Sequence, residues 1–556
     1  MKRNSEVTNR SRLVATPRSQ AQPEAAVVGS FLSVPPFPHA KVRAFLSVGE
    51  QVAQDDELVG LVRELRVGGS YWAARPTLPP QYVLVRRLPD LAVSADGLPI
   101  VLWTDEPTGQ AQTRNVVGQC DPWHMLAGAT VFVTDQVDDV VVIAALLGVP
   151  IQLLNAASGG LVTFEGDPST LLLGVLAGSY ENPFTGELMT TRQAVELSGF
   201  WRRLIDKNRT IAGGLGFAFW KRAHIAPLLW GGAGDFAFLT DLQEVGTAAS
   251  LAIWRTKAPA DQLAEISRAA VPLIEVEDGF LRSDGLGADC VPPLSITVDA
   301  LGGHFDPAQP SELELLLETE QFDATTIERA RRLRRAIVEA KLGKYHRGDG
   351  AEIDRRAGSR KHILVPGQVE DDRAVKTGGC GLTSNLELLA RVRAQAPDAY
   401  IVYKPHPDVL AGHRRGALVS QLCLQHADEI VADLSIVSLI DMVDEVHVNT
   451  SLAGFEALLR GKTVTTYGVP FYAGWGLTQD LGPVPDRRTA RRSIDELVAA
   501  TLLIYPRYLD PVTGLPCPAE IVVDRLSSGT TGNPSLIVLI RKLQGRLMRR
   551  LRSVVQ

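Results

Sequence analysis

Polar and apolar positions separate most clearly beyond residue 360. The stretch "KHILVPG" from Lys361 predicts a buried strand, and "AYIVYKP" from Ala399 predicts another. Between them "SNLELLARVRAQAP" from Ser384 repeats apolar residues at helical spacing. Further on, "VDEVHVNTSLAGFEALLRGKTVTTYG" from Val443 reads as strand, turn, helix and strand, with Gly461 closing the helix. Strands that alternate with helices predict an α/β domain on a parallel sheet. A second α/β stretch precedes it, with strands expected in "SLAIWR" from Ser250 and in "PLIEV" from Pro272. "ATTIERARRLRRAIVEAKLGKY" from Ala324 predicts a helix with a basic face.

An internal repeat adds a further level. "YENPFTGELMTTRQAVEL" from Tyr180 and "YLDPVTGLPCPAEIVVDRL" from Tyr508 share Tyr, Pro, Thr and Gly at the same relative places. Each follows a similar strand-to-helix unit, "VFVTDQVDDVVVIAALLGVPI" in the first case and "VHVNTSLAGFEALLRGKTV" in the second. The pattern predicts a duplicated module whose first copy is partial.

Composition narrows the class. A chain of 556 residues with 45% hydrophobic and 22% charged residues is globular, with length for roughly three to four domains. The net charge of -6 argues against a general nucleic-acid binder, which carries a broad basic surface. Five scattered cysteines without a CxxC pair indicate neither a zinc site nor a disulfide framework, and fit a reducing compartment. The first residues, "MKRNSEVTNRSRLVATPRSQAQPE", lack the apolar core of a secretory signal and are expected to form a disordered extension. No run approaches the roughly 18 apolar residues of a spanning helix, so a cytoplasmic location is expected. The last stretch, "LIVLIRKLQGRLMRRLRSVVQ", predicts a basic amphipathic helix that either lies on an anionic membrane surface or caps the last domain.

Candidate chemistry collects where strands end. "KPHPDV" ends one strand with Lys404, followed by His406 between two prolines that fix the backbone. Glu277 and Asp278 are expected straight after the strand "PLIEV", where a carboxylate can act as a base or as a nucleophile towards an anomeric carbon. Gly279 and the glycines after it would let the backbone approach a ligand. Asn449, Thr450 and Ser451 open a helix whose free amides suit phosphate, although plain capping explains the hydroxyls equally. Gln368 in "VPGQVEDD" is a candidate ligand contact, while Asp371 and Asp372 lack the further ligands a metal site needs. Lys404, His406 and the Asn449–Ser451 turn, all at ends of strands of one domain, form a plausible cradle for a nucleotide phosphate.

The ordered strings "EDGFLRSDGLGAD", "PPLSITVDALGGHFDP", "LVPGQVEDD", "KPHPDV", "NTSLAGFEALLRGKTVTTYGVPFYAGWGLTQD" and "YLDPVTGLPC" closely resemble the capsule polysaccharide biosynthesis family of bacterial β-Kdo transferases. The resemblance covers roughly residues 200 to 525. It implies a GT-B glycosyltransferase with two Rossmann-like domains facing a cleft, preceded by a partial, degenerate repeat of the module. The implied division is a 1–30 extension, a 31–198 non-catalytic repeat, a 199–350 acceptor-side domain, a 351–530 CMP-donor-side domain and a 531–556 basic helix. The implied reaction moves Kdo, or a related ulosonic acid, from CMP-Kdo to a lipid-linked Kdo acceptor at the inner face of the cytoplasmic membrane. It serves capsule biosynthesis and export, with other capsule proteins as partners, no metal and no cofactor beyond the donor.

The resemblance assigns Asp278 as the catalytic carboxylate, and Lys404 and His406 to the leaving CMP phosphate, supported by Thr450 and Ser451. It pairs Arg282 with the Kdo carboxylate and Glu456 with the ribose or base; Gln368 is a further expected donor contact, and Glu277, Gly279 and Asn449 are other cleft candidates. Two rivals stand beside this reading: a non-catalytic capsule assembly or export factor that kept the fold, and a GT-B transferase using a UDP-sugar.

Overall fold

The computed structural model describes residues 31–42, 47–48, 56–91, 93, 95, 97–107, 114–176, 179–240, 250–283, 290–344, 355–356, 358–410 and 414–530. The expected 1–30 extension and 531–556 helix lie outside them, as do the glycines at 285 and 287. The chain divides into two compact units. The smaller holds residues 77–118 and 122–176, while 32–76, 119–121 and the described residues from 179 onward form the larger. The module expected over 31–198 is thus shared between the two.

The smaller unit is built on one six-stranded sheet. Its spatial order is Arg114–Val117, Ile100–Thr104, Tyr82–Arg86, Ala129–Thr134, Ile151–Leu154 and Leu161–Thr163. Neighbours are parallel except in the last pair. The helix Asp139–Leu147 is capped by the Asp138 carboxylate, which accepts from the Val140 amide, and ends at Gly148 with φ 72°.

The larger unit contains two six-stranded sheets. One runs Glu429–Ile430, Tyr400–Lys404, His362–Pro366, Glu445–Val448, Thr463–Thr466 and Gln479–Asp480, parallel throughout. Its central strands are continuous apolar runs because helices cover both faces. Ile363, Val365, Ile401 and Tyr403 pack on Leu388, Leu389 and Val392 of the helix Asn385–Gln395. Ser384 starts that helix by accepting from the Leu386 and Glu387 amides. The helix Leu452–Leu459 lies so close to Tyr472 that a Cβ on Gly454 would collide with the Tyr472 hydroxyl, which donates to the Ser451 carbonyl.

The other sheet runs Ile211–Leu215, Ser250–Ile253, Leu273–Asp278, Ser295–Asp299, Pro506–Leu509 and Pro516–Cys517. Its first three strands are parallel and the rest antiparallel. The expectation that a strand ends before the two carboxylates is corrected here. Pairing of Glu277 with Thr297 and of Asp278 with Ile296 carries the strand through both. Gly279 is also reassigned: a Cβ there would collide with Ser295, so its bareness serves the neighbouring strand and not a ligand. In the helix Ala324–Glu339 the basic face is paired, Arg329 with Glu520 and Arg331 and Arg334 with Asp495.

The two similar strings at Tyr180 and Tyr508 make the same turn. Asn182 and Asp510 each accept from the amide two residues on and each donate their own amide five residues ahead. Gly186 and Gly514 close the turns at φ 74° and 72°. A helix follows each hairpin, Thr191–Asn208 and Ala519–Ser528.

Candidate active site

Asp278 ends its strand between two cations. Lys221 Nζ, from the helix Phe219–Leu229, donates to Oδ1 at 3.1 Å, and Arg282 Nε donates to Oδ2 at 2.9 Å. Burial alone would raise the Asp278 pKa, but the Lys221 and Arg282 charges overcome it and hold the carboxyl well below the usual range. The Lys221 ammonium rests on the face of Trp254, 3.3 Å from the ring centroid. Burial pulls its own pKa down, against the opposing charge of Asp278.

Glu277 has the opposite tuning. Burial, then the charge of Asp278, push its carboxyl up to about 7, against the pull of Arg373. Arg373 reaches across from the start of the helix Arg373–Gly378, donating to Glu277 Oε1 at 3.2 Å and to Glu275 Oε1 at 3.3 Å. Glu275 also pairs with Arg255, and the Arg373 guanidinium lies 4.7 Å over the Phe305 ring. Two neighbouring carboxyl groups with pKa values driven apart can divide the work: one stays anionic and the other exchanges a proton near neutrality.

On the facing sheet, His406 accepts from the Asp408 amide at Nδ1, 3.1 Å away. That bond puts the proton of the neutral ring on Nε2, which has no hydrogen-bond partner among the described residues. Burial, with Asp408 opposing, lowers its pKa, so the ring is a neutral hydrogen-bond donor.

Several expected ligand contacts turn out to be structural. Arg282 is not available for a substrate carboxylate: it is 1% exposed and spends its donors on Asp278, Ser283 Oγ and the Val291 carbonyl. The Lys404 ammonium donates to the carbonyls of Ala432 and Leu434 at 3.1 and 2.5 Å, fixing the loop after Glu429–Ile430. Thr450 and Gln368 satisfy each other, the Thr450 amide donating to Gln368 Oε1 at 2.9 Å and Gln368 Nε2 donating to Thr450 Oγ1 at 3.0 Å. Ser451 caps its helix, accepting from the Ala453 amide. Asn449 donates to the Leu382 carbonyl, and Glu456 accepts from the Lys344 amide at 2.7 Å. Asp372 caps the Arg373 helix and Asp371 pairs with Arg414. Among the described residues no cluster of His, Cys, Asp or Glu fits a metal ion.

The structure thus brings together Asp278, Glu277 and Arg282, and adds Lys221 and the facing Arg373, which sequence reasoning passed over. Lys221 could have been found as the cation opening the helix after an apolar, glycine-rich strand, and Arg373 as the base that follows three acids. A cavity of about 310 Å³ lined by His362, Tyr400, Glu429 and Met442, among others, is separate: none of the site carboxyl groups lines it.

A family model described as capsule polysaccharide biosynthesis protein matches residues 249–508. The capsule polysaccharide modification protein LipA of Neisseria meningitidis serogroup A is 39% identical over 340 residues, 60% of this chain and 48% of the relative. The lipopolysaccharide-processing protein LpsZ of Rhizobium meliloti is 43% identical over 272 residues, 48% of this chain and 61% of the relative. The chain therefore spans about half the length of the Neisseria relative it matches. Among solved structures, the Thermosulfurimonas dismutans KpsC β-Kdo 2,7 transferase is 36% identical at a TM-score of 0.46, covering 57% of this chain and 98% of that one. The KpsC β-Kdo 2,4 transferase of the same organism is 28% identical at a TM-score of 0.49, with the same coverage. The stretch matched by the family model carries Asp278, Glu277, Arg373 and His406, so these residues lie in the part of the chain that is similar to capsule polysaccharide biosynthesis proteins.

Proposed function

We propose that the chain is a glycosyltransferase of GT-B architecture that moves Kdo, or a related ulosonic acid, from a CMP-activated donor to a lipid-linked acceptor in capsule biosynthesis. The observation that carries the reading is Asp278, held as an anion by Lys221 and Arg282 at a strand end. The Kdo transferase names of the solved KpsC structures agree with it. In this reading an Asp278 oxygen bonds to the anomeric carbon as the bond from that carbon to the phosphate oxygen breaks and CMP leaves. His406 Nε2 donates to the departing phosphate. The acceptor hydroxyl then attacks the same carbon, the bond to Asp278 breaks, and the hydroxyl proton passes to Glu277, whose pKa near 7 suits a general base. Two inversions leave the configuration retained.

The similar turns at Asn182 and Asp510 support a duplicated module whose first copy, in the part of the chain before residue 199, is degenerate and non-catalytic. Action at the inner face of the cytoplasmic membrane, beside other capsule proteins, belongs to the same proposal; no helix among the described residues is long and apolar enough to cross a membrane.

The test is transfer from CMP-Kdo, generated in place, to a synthetic Kdo-terminated lipid. Asp278→Asn should lower the rate at least about 1,000-fold, roughly 4 kcal/mol on the barrier. Undiminished transfer by that variant would sink the assignment. Absence of transfer and of CMP binding in the wild type would favour an assembly factor.

A further inference from the structure

The strand Leu273–Asp278 alternates, so Glu275 and Glu277 share one face of it and Asp278 takes the other. One side chain, from the segment after the strand His362–Pro366 of the facing sheet, meets both glutamates. Arg373 Nη1 donates to Glu277 Oε1 at 3.2 Å, and Nη2 donates to Glu275 Oε1 and Oε2 at 3.3 and 3.4 Å. A planar guanidinium fork can span two carboxylates in this way, and a lysine ammonium cannot. The fork is itself held: it lies 4.7 Å over the Phe305 ring, and Glu275 is shared with Arg255. Gly303 leaves room for this arrangement, since a Cβ there would fall 2.9 Å from Glu275 Oε2 and 2.6 Å from the Phe305 ring.

The hold on Glu277 is one-sided. Its Oε1 is engaged, while Oε2 has no hydrogen-bond partner among the described residues. A carboxylate fixed through one oxygen can take a proton on the other and keep the bond that orients it. The charged groups that face Glu277 are Asp278, Arg373, Lys221 and Glu275, and among the described residues only Arg373 bonds to it. The helix that carries Arg373 is anchored as well. Asp372 accepts from the Ala374 amide, the Gly378 carbonyl accepts from the Val469 amide at 2.8 Å, and Thr377 Oγ1 donates to the Phe305 carbonyl at 3.2 Å. Thr377 thus ties the same helix across the cleft without a bond to Glu277.

We propose that Arg373 is a positioning residue of the site, holding Glu277 by Oε1 so that Oε2 is left to take a proton from the acceptor. The part of Glu277 as proton acceptor rests on the glycosyltransferase reading; the hold of Arg373 on Glu277 does not. As the acceptor oxygen bonds to the anomeric carbon and the bond to Asp278 breaks, the hydroxyl proton passes to Oε2, and the bond from Arg373 to Oε1 persists in both protonation states.

The full chain is assayed for single-turnover transfer from CMP-Kdo across about pH 5 to 9, as wild type, Arg373→Met, Arg373→Lys and Thr377→Val. Arg373→Gln takes the place of Arg373→Met if the latter does not melt cooperatively. In Arg373→Met the limb near neutrality, where Glu277 gains its proton, should move up by about one pH unit, and the plateau rate should fall about tenfold. Arg373→Lys, which keeps the charge without the fork, should restore the limb and only part of the rate. Thr377→Val should leave the limb where the wild type has it. An unmoved limb in Arg373→Met, or an equal movement in Thr377→Val, would overturn the assignment. A second readout needs no substrate. Burial, then the charge of Asp278, raise the Glu277 pKa, so the gain in melting temperature from Glu277→Gln grows with pH and levels off beyond about 7. In the Arg373→Met background that gain should keep growing for about one pH unit more. If it does while the wild type transfers nothing, the hold on Glu277 stands and the transferase reading falls. If it does not, the hold itself is refuted, whatever the transfer assay shows.

Discussion

Lys221→Met tests the electrostatic design of the site. Methionine keeps the volume of the lysine stem and removes the charge 3.1 Å from Asp278 Oδ1. Two unit charges at that distance attract by roughly 5 kcal/mol at an effective dielectric constant of about 20. Most of this offsets the desolvation of a buried ammonium, and Arg282 remains in place, so roughly 1–3 kcal/mol should reach the acidity of Asp278. At about 1.4 kcal/mol per pKa unit, that is a rise of about one to two units. In the wild type the Asp278 pKa is depressed, so the ionised form persists far into acid and is lost only as pH falls through that low value. The assay is single-turnover Kdo transfer after a jump from neutral pH into acid, carried down to the lowest pH at which a thermal melt shows both wild type and variant folded. The acid limb of the rate profile should move up by about one to two units in Lys221→Met. A variant profile of unchanged shape, lowered uniformly, would refute the idea that Lys221 acts by holding Asp278 ionised.

Two further changes probe the frame of the site. The folded-state pKa of Glu277, about 7, lies above that of an unfolded glutamate, so its ionisation costs stability as pH rises towards 7. Glu277→Gln should therefore melt higher than the wild type at pH 8, by up to about 3 kcal/mol, with little difference at pH 4; an equal difference at both pH values would contradict the tuning described. Gly454→Ala should destabilise the unit by about 1–3 kcal/mol through collision with the Tyr472 hydroxyl, and Tyr472→Phe in the same chain should return part of the lost melting temperature; no destabilisation in the single variant would disprove that close approach.

Much of the frame was legible locally. Apolar runs such as "HILVP" and "YIVYK" become the parallel strands they suggest, and Ser384 starts its helix as a capping residue should. The place of Asp278 and Glu277 near a strand end was readable from the apolar run that precedes them. Their tuning was not: Lys221 and Arg373 lie 57 and 96 residues from the carboxylates they contact, and no local pattern records such pairs. Strand length was misjudged for the same reason, because the pairing that extends the strand to Asp278 comes from Ser295–Asp299.

The sequence by itself determined the α/β class, and the four central strands and two of the helices of the sheet beyond residue 360, since periodicity and capping are local properties of the chain. Only the tertiary structure decided which side chains are spent on protein partners. Arg282, Lys404, Thr450 and Gln368 look like ligand contacts in isolation, yet each is satisfied by a partner brought near through folding. Hydrogen-bonding capacity is a property of a side chain, but its availability depends on what the fold places within about 3 Å of it.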